Sequence, residues 1–167
     1  TLFKENSFDN KYDNSHTVLF KRLLQYILPI EIRKKIINSF YDTYVQIPQN
    51  ELHKDFYMSV EDLKILKDNG MTIGNHTHTH QWLEHLTKSN QNYEITKSMD
   101  ILKKYNLISD NWIMCYPYGS FNAQTIDILK SNGCVFGLTI SSGINEIKKN
   151  DFNFRLKRID TNEINTL

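Results

Sequence analysis

Three histidines fall within five residues in Gly74-Asn75-His76-Thr77-His78-Thr79-His80, half of the six the chain contains. Imidazoles ligate divalent metals when their ring nitrogens can converge. An extended strand puts all three on one face but leaves His76 and His80 about 13 Å apart, too far for one ion. A helical turn brings positions four apart within about 5–6 Å, so His76 and His80 converge while His78 points elsewhere. The spacing therefore offers a two-histidine metal half-site in a turn that follows a short strand. Zinc or a similar divalent ion needs at least one more protein ligand there, and an open position if it is catalytic. The competing reading is a polar loop with accidental histidines.

A second segment, Tyr116-Pro117-Tyr118-Gly119, also follows an apolar run. It could aim a backbone N–H, such as that of Tyr118, at a developing oxyanion. The plainer alternative is a Pro-Tyr-Gly turn with an aromatic lid. His16, His53 and His85 carry no such pattern and read as surface or hairpin residues. Cys134 reads as a small buried hydrophobe.

The elements that must position these segments alternate. Residues 1–16 are polar and read as a loop after Leu2-Phe3. From His16, the stripe Val18, Leu19, Leu23, Leu24, Ile27, Leu28 predicts a helix that Pro29 stops. Ile32, Ile36, Ile37 and Phe40 predict a second, so residues 15–45 read as an antiparallel helical hairpin. Gln46 to Phe56 reads as a connector. Ser59-Val60-Glu61-Asp62 is a capping-box start, and Asn69-Gly70 a stop, for a helix of about three turns. Met71-Thr72-Ile73 then reads as a short buried strand leading into the histidines. A helical turn follows at Trp82–Leu86, and a helix from about Asn92 to Tyr105 turns Ile95, Met99 and Leu102 inward. Extended runs are expected at Trp112–Tyr116, Cys134–Ile140 and Phe154–Ile159, with a helix capped by Asn122 and ended by Asn132-Gly133 between the first two. Strands alternating with helices predict α/β architecture with a parallel sheet or barrel. In such folds chemistry collects at the C-terminal ends of strands, where both unusual segments lie.

At 167 residues and 40% hydrophobic content the chain suits a single domain. Lys+Arg of 20 against Asp+Glu of 19 leaves no basic footprint, so no nucleic-acid partner is expected. Cys115 and Cys134 form no CxxC pair and no disulfide framework. No leader pattern and no transmembrane-length apolar run are visible, so a soluble domain is expected, its compartment unassigned with the cytoplasm slightly favoured. The chain starts at Thr1-Leu2-Phe3 without an initiator methionine, which suggests a fragment.

Taken together, Tyr57-Met58-Ser59, Gly70 through His80, Cys115-Tyr116-Pro117-Tyr118-Gly119-Ser120-Phe121-Asn122 and Arg158-Ile159-Asp160 resemble the polysaccharide deacetylases, the NodB-homology carbohydrate esterases, over residues 57–163. The resemblance implies a distorted (β/α) barrel, partial here, and metal-dependent removal of an N- or O-acetyl group from a glycan. It implies that His76 and His80 bind the metal, most simply zinc, and that the Tyr118 N–H helps hold the oxyanion. Tyr116, Pro117 and Tyr118 are the substrate-binding candidates. The family's first motif, a strand ending in Thr-Phe-Asp-Asp-Gly, supplies the general base and the third metal ligand. Its nearest approach here is Phe8-Asp9-Asn10, with asparagine at the ligand position and Lys11 at the glycine. Lys4-Glu5-Asn6-Ser7 before it is too polar for a buried strand. The chain is accordingly read as an N-terminally truncated domain spanning 1–167, lacking the first strand and helix. Cys115 stands where many relatives carry a base-orienting arginine; Arg158 is the candidate substitute, with a structural ion pair as the alternative. An incomplete barrel would expose a strand edge open to self-association. Two functions follow: a deacetylase of an acetylated glycan, or a catalytically incomplete glycan- or metal-binding remnant of that fold.

Overall fold

The computed structural model describes residues 2–145 and 152–166. The chain divides into two compact units, Thr1–Tyr57 and Met58–Leu167.

The first unit is helical. A short helix α1 (Leu2–Asn6) occupies part of the stretch expected to be loop. In the turn after it, Asp9 Oδ1 accepts the Ser15 N–H at 2.6 Å, and Asn10 Oδ1 accepts those of Tyr12 and Asp13 at 2.8 Å. Asn14 caps α2 (Ser15–Arg22), its side chain accepting from Thr17 N. That helix widens into a π turn at Leu23–Ile27 before Pro29, whose fixed φ opens α3 (Ile30–Phe40). The Phe20 and Phe40 rings meet at 6.1 Å. Residues 46–56 are not the expected connector. Pro48 starts a further helix, α4 (Gln49–Phe56), which no Gly or Pro interrupts but whose few apolar residues give little periodicity to read.

The second unit carries the sheet. Helix α5 (Val60–Asp68) begins with the expected capping box, Ser59 and Asp62 bonding reciprocally. It ends in a Schellman arrangement: Gly70, at φ +86°, donates its N–H to Lys67 O, and Met71 donates to Leu66 O. A 3₁₀ turn at Leu83–His85 precedes the long helix α6 (Lys88–Lys104). Strand β1 (Trp112–Cys115), helix α7 (Ala123–Ser131) and strand β2 (Cys134–Ser142) form a βαβ unit, and β3 (Leu156–Arg158) adds on the far side of β2. All pairings are parallel, with Ile113 opposite Phe136 and Leu138 opposite Leu156.

The fold is therefore α/β with a three-stranded open sheet, ordered β1-β2-β3. No closed barrel is found among the described residues, since so short a sheet cannot curl back on itself. Met71–Ile73 does not form the expected strand. That segment reaches the sheet only at Asn75, through a single parallel bridge to Met114, and Met71 is exposed. Leu83, Ile95, Met99, Trp112, Met114 and Leu129 form the centre of the core, between the sheet and helices α6 and α7. No helix of the described residues is long and apolar enough to cross a membrane.

Candidate active site

The bridge at Asn75 ends the extended approach to β1 and places the histidines at the C-terminal end of that strand. Asn75 N donates to Ile113 O at 2.8 Å, and Cys115 N donates to Asn75 O at 2.9 Å. Gly74 suits this close approach, since a Cβ there would lie 3.1 Å from Ile113 O. Beyond the bridge the chain enters an irregular loop with left-handed residues at Thr77 (φ 66°) and His80 (φ 58°). For a β-branched residue such as Thr77 that conformation costs on the order of 1–3 kcal/mol and persists only when neighbours enforce it.

The His76 and His80 rings converge, their centroids 4.7 Å apart and their planes at 70°. The four-residue spacing did predict this meeting, but the backbone reaches it through left-handed residues at 77 and 80 rather than by a helical turn. His76 Nδ1 lies 2.6 Å from Cys115 O. A carbonyl only accepts, so Nδ1 carries a proton, which leaves Nε2 as the ligating nitrogen of the neutral ring. Partial burial and the neighbouring His76 push the His80 imidazole below the ordinary histidine value, favouring its neutral, ligating form. His78 points to the other side, its ring 6.2 Å from Tyr93.

The Tyr116–Gly119 segment closes the opposite wall. Tyr118 is left-handed (φ 56°), and the turn is held by Gly119 N–Tyr116 O and Ser120 N–Pro117 O bonds, neither of which uses the Tyr118 N–H. The Tyr118 ring lies edge-on to His80 at 4.7 Å and stacks on Trp82 at 4.8 Å and 12°. Buried Ser120 accepts the Glu84 N–H at 3.0 Å, tying this turn to the one after the histidines. Tyr116 and Pro117 face inward. Tyr116 stacks on Phe121 at 4.4 Å and donates its hydroxyl to Phe154 O at 2.9 Å. Its burial pushes the phenol well above the ordinary tyrosine range.

Arg158, at the end of β3, donates from Nε to Thr139 O at 2.7 Å and borders a surface pocket with Ile140, Ser142, Ile159 and Asp160. Burial raises the Cys115 thiol, and the Arg158 guanidinium lowers it by less. His76, His80 and Tyr118 are thus gathered directly, while the Arg158 side chain is bonded to Thr139 of β2. Among the described residues no group of three or more His, Cys, Asp or Glu side chains gathers in one place. The imidazole pair fits a divalent ion as two of the three ligands a catalytic zinc takes from protein.

Two residues that hold this geometry were not singled out in the sequence. Asn75, fully buried, accepts Thr77 N at 2.8 Å and donates to Ile95 O at 3.1 Å. Glu94, also buried, accepts three hydrogen bonds from the loop. Its signal was an acid on the inward face of α6, beside Ile95 and one turn from Gln91 and Ser98.

A family model, polysaccharide deacetylase, matches residues 7–137. The chain belongs to the polysaccharide deacetylase family. The match starts well before residue 57, where the motif resemblance began, and so takes in Phe8-Asp9-Asn10; it stops short of Arg158-Ile159-Asp160. Among solved structures, the chain is similar to the Streptococcus pyogenes deacetylase PplD in complex with acetate. The identity is 27% over 61% of this chain and 44% of that one, with a TM-score of 0.56. It also matches a family 4 carbohydrate esterase from Streptomyces lividans in complex with acetate, at 21% identity over 46% of this chain and 39% of that one, TM-score 0.43. The chain thus spans less than half the length of either. A search of curated protein sequences finds no match.

Proposed function

We propose that this domain removes acetyl groups from an acetylated glycan by metal-dependent hydrolysis. The observation that carries the reading is the convergence of His76 and His80, 4.7 Å apart, beside the left-handed Tyr118 turn. His76 and His80 would hold the ion, with the Cys115 carbonyl fixing the ring that uses Nε2. When bound there, a divalent ion of the zinc type supplies Lewis acidity toward the acyl carbonyl. The Tyr118 N–H, which the bonds closing its turn leave unused, is the donor for the negative charge that develops on the carbonyl oxygen. Water adds to the acyl carbon, the C–N or C–O bond breaks, acetate leaves, and the sugar nitrogen or oxygen takes up a proton. The similar streptococcal deacetylase holds acetate, the product of such a reaction. Arg158 is assigned to the rim of the glycan site rather than to the reacting bond.

The second reading, a glycan- or metal-binding remnant, is favoured by one observation: the described residues gather two ligands rather than three. Acetate release separates the two. The intact protein, given an N-acetylated oligosaccharide and zinc, is expected to release acetate and to stop when chelator is added. Release that continues in chelator refutes the metal-dependent step; zinc binding with no release from any acetylated glycan selects the remnant.

A further inference from the structure

Helix α6 reaches the middle of the histidine loop with a carboxylate. Glu94 is 6% exposed. Its Oε2 accepts the His78 N–H at 3.1 Å and the Thr79 N–H at 2.7 Å, and its Oε1 accepts the Thr79 hydroxyl at 2.6 Å. These donors sit between the two converging histidines, on the stretch bounded by the left-handed Thr77 and His80. In a helical turn begun at His76 the same N–H groups would be among the first four, which have no intrahelical carbonyl and point along the axis. Here both point at one side chain instead, and the loop is drawn toward α6 at its midpoint. Pulling the midpoint one way leaves its ends, His76 and His80, projecting the other way, where their rings meet.

We propose that Glu94 is the positioning residue of the histidine pair: its carboxylate gathers the N–H groups of residues 78 and 79 and so sets the loop conformation in which the two imidazoles face each other. The proposal rests on the metal-site reading above for its consequence but not for its geometry. Hydrogen bonds donated to a carboxylate are stronger than amide–amide ones, which suits a strained loop that must be held without metal. Asn75 acts alongside it, taking Thr77 N and anchoring on Ile95 O, the residue after Glu94.

The test uses the full chain with Glu94→Gln, which keeps the shape and one acceptor oxygen, and Thr79→Ala, which removes the hydroxyl from the other end should Glu94 variants not fold. In the metal-free protein, ring-to-ring nuclear Overhauser contacts between His76 and His80 and amide exchange at His78 and Thr79 are measured. Zinc affinity is then measured by competition with a chromophoric chelator. Glu94→Gln is expected to weaken the ring contacts, to speed exchange at both amides at least tenfold, and to loosen zinc about ten- to a hundredfold, as substitutions behind metal ligands do. Thr79→Ala should shift each in the same direction by less. A residue that only stabilised the core would lower the melting temperature while the ring contacts and the zinc affinity of the folded protein stayed within twofold of the parent; that result overturns the proposal. If His76→Ala binds zinc as tightly as the parent, the metal reading has failed, and the ring contacts and amide exchange alone decide for or against Glu94.

Discussion

Replacing Gly137 by alanine tests how the core supports the Tyr118 turn. Gly137 lies in β2 beneath Tyr116, and an added methyl would collide with the Tyr116 hydroxyl oxygen while sitting 2.8 Å from both Tyr116 Cζ and Phe154 O. The ring cannot simply swing aside, because it is buried against Phe121 and its hydroxyl is bonded to Phe154 O. Overpacking of this kind costs about 1–3 kcal/mol. Breaking the buried hydroxyl–carbonyl bond adds about 1–3 kcal/mol for the group left without a partner. Against this, alanine restricts the unfolded chain and returns about 0.4–1 kcal/mol. A net loss of about 2–4 kcal/mol is expected. Tyr116→Phe removes the atom in the collision, so the double variant should be less damaged than the two single losses combined, by about 1 kcal/mol or more. Both tryptophans, Trp82 and Trp112, lie in the unit spanning residues 58–167, so their fluorescence in a denaturant titration reports on that unit. A Gly137→Ala loss below about 0.5 kcal/mol, or strict additivity with Tyr116→Phe, would refute the contact that the magnitude is built on.

Three further outcomes follow from the site. His76→Ala should abolish stoichiometric retention of a divalent metal while His78→Ala changes it little, measured by metal content after dialysis; equal losses would contradict the convergence of 76 and 80 alone. His80 is held below its ordinary value of 6.5, so in the window just under that value the unfolded chain binds more protons than the folded one. Metal-free protein should therefore lose stability as the pH falls from above 6.5 into that window, and His80→Gln should flatten the dependence; parallel melting-temperature profiles for the two proteins would rule it out. Acetate release from an N-acetylated glycan, if this domain is the hydrolase proposed, should fall with each of His76→Ala and His80→Ala and be insensitive to His85→Ala, which an end-point acetate assay resolves.

Much of the architecture was legible because it is written in short-range chemistry. Ser59 with Asp62, Asn122 with Thr125, and the glycines at 70 and 133 mark helix ends through bonds made within a few residues. The strands at Trp112 and Cys134 are apolar runs with a helix between them. Gln49–Phe56 was not legible, since a polar helix shows little periodicity. Met71–Ile73 misled in the opposite sense: its composition suits a strand, yet only Asn75 finds a pairing partner on β1. In the site, the four-residue spacing of His76 and His80 pointed to convergence but not to the backbone that produces it. Tyr116 read as a substrate contact lies in the core with its hydroxyl engaged, which no local pattern distinguishes from an exposed tyrosine.

The manner of convergence decides what the site depends on. Had the histidines sat on a helix, their spacing would be guaranteed by bonds internal to that helix, and the site would survive considerable change in its surroundings. Instead, each constraint on the loop comes from another element: Cys115 O on His76, the Asn75 bridge to β1, Glu94 on residues 78 and 79, and Tyr118 against His80. Those partners lie fifteen or more residues away along the chain, so the pair of imidazoles exists only once β1 and α6 have packed together. It follows that, if the pair holds a metal as proposed, substitutions in the core that α6 and β1 share should act on its affinity through the loop, whereas helix-capping changes in α5 should alter stability alone.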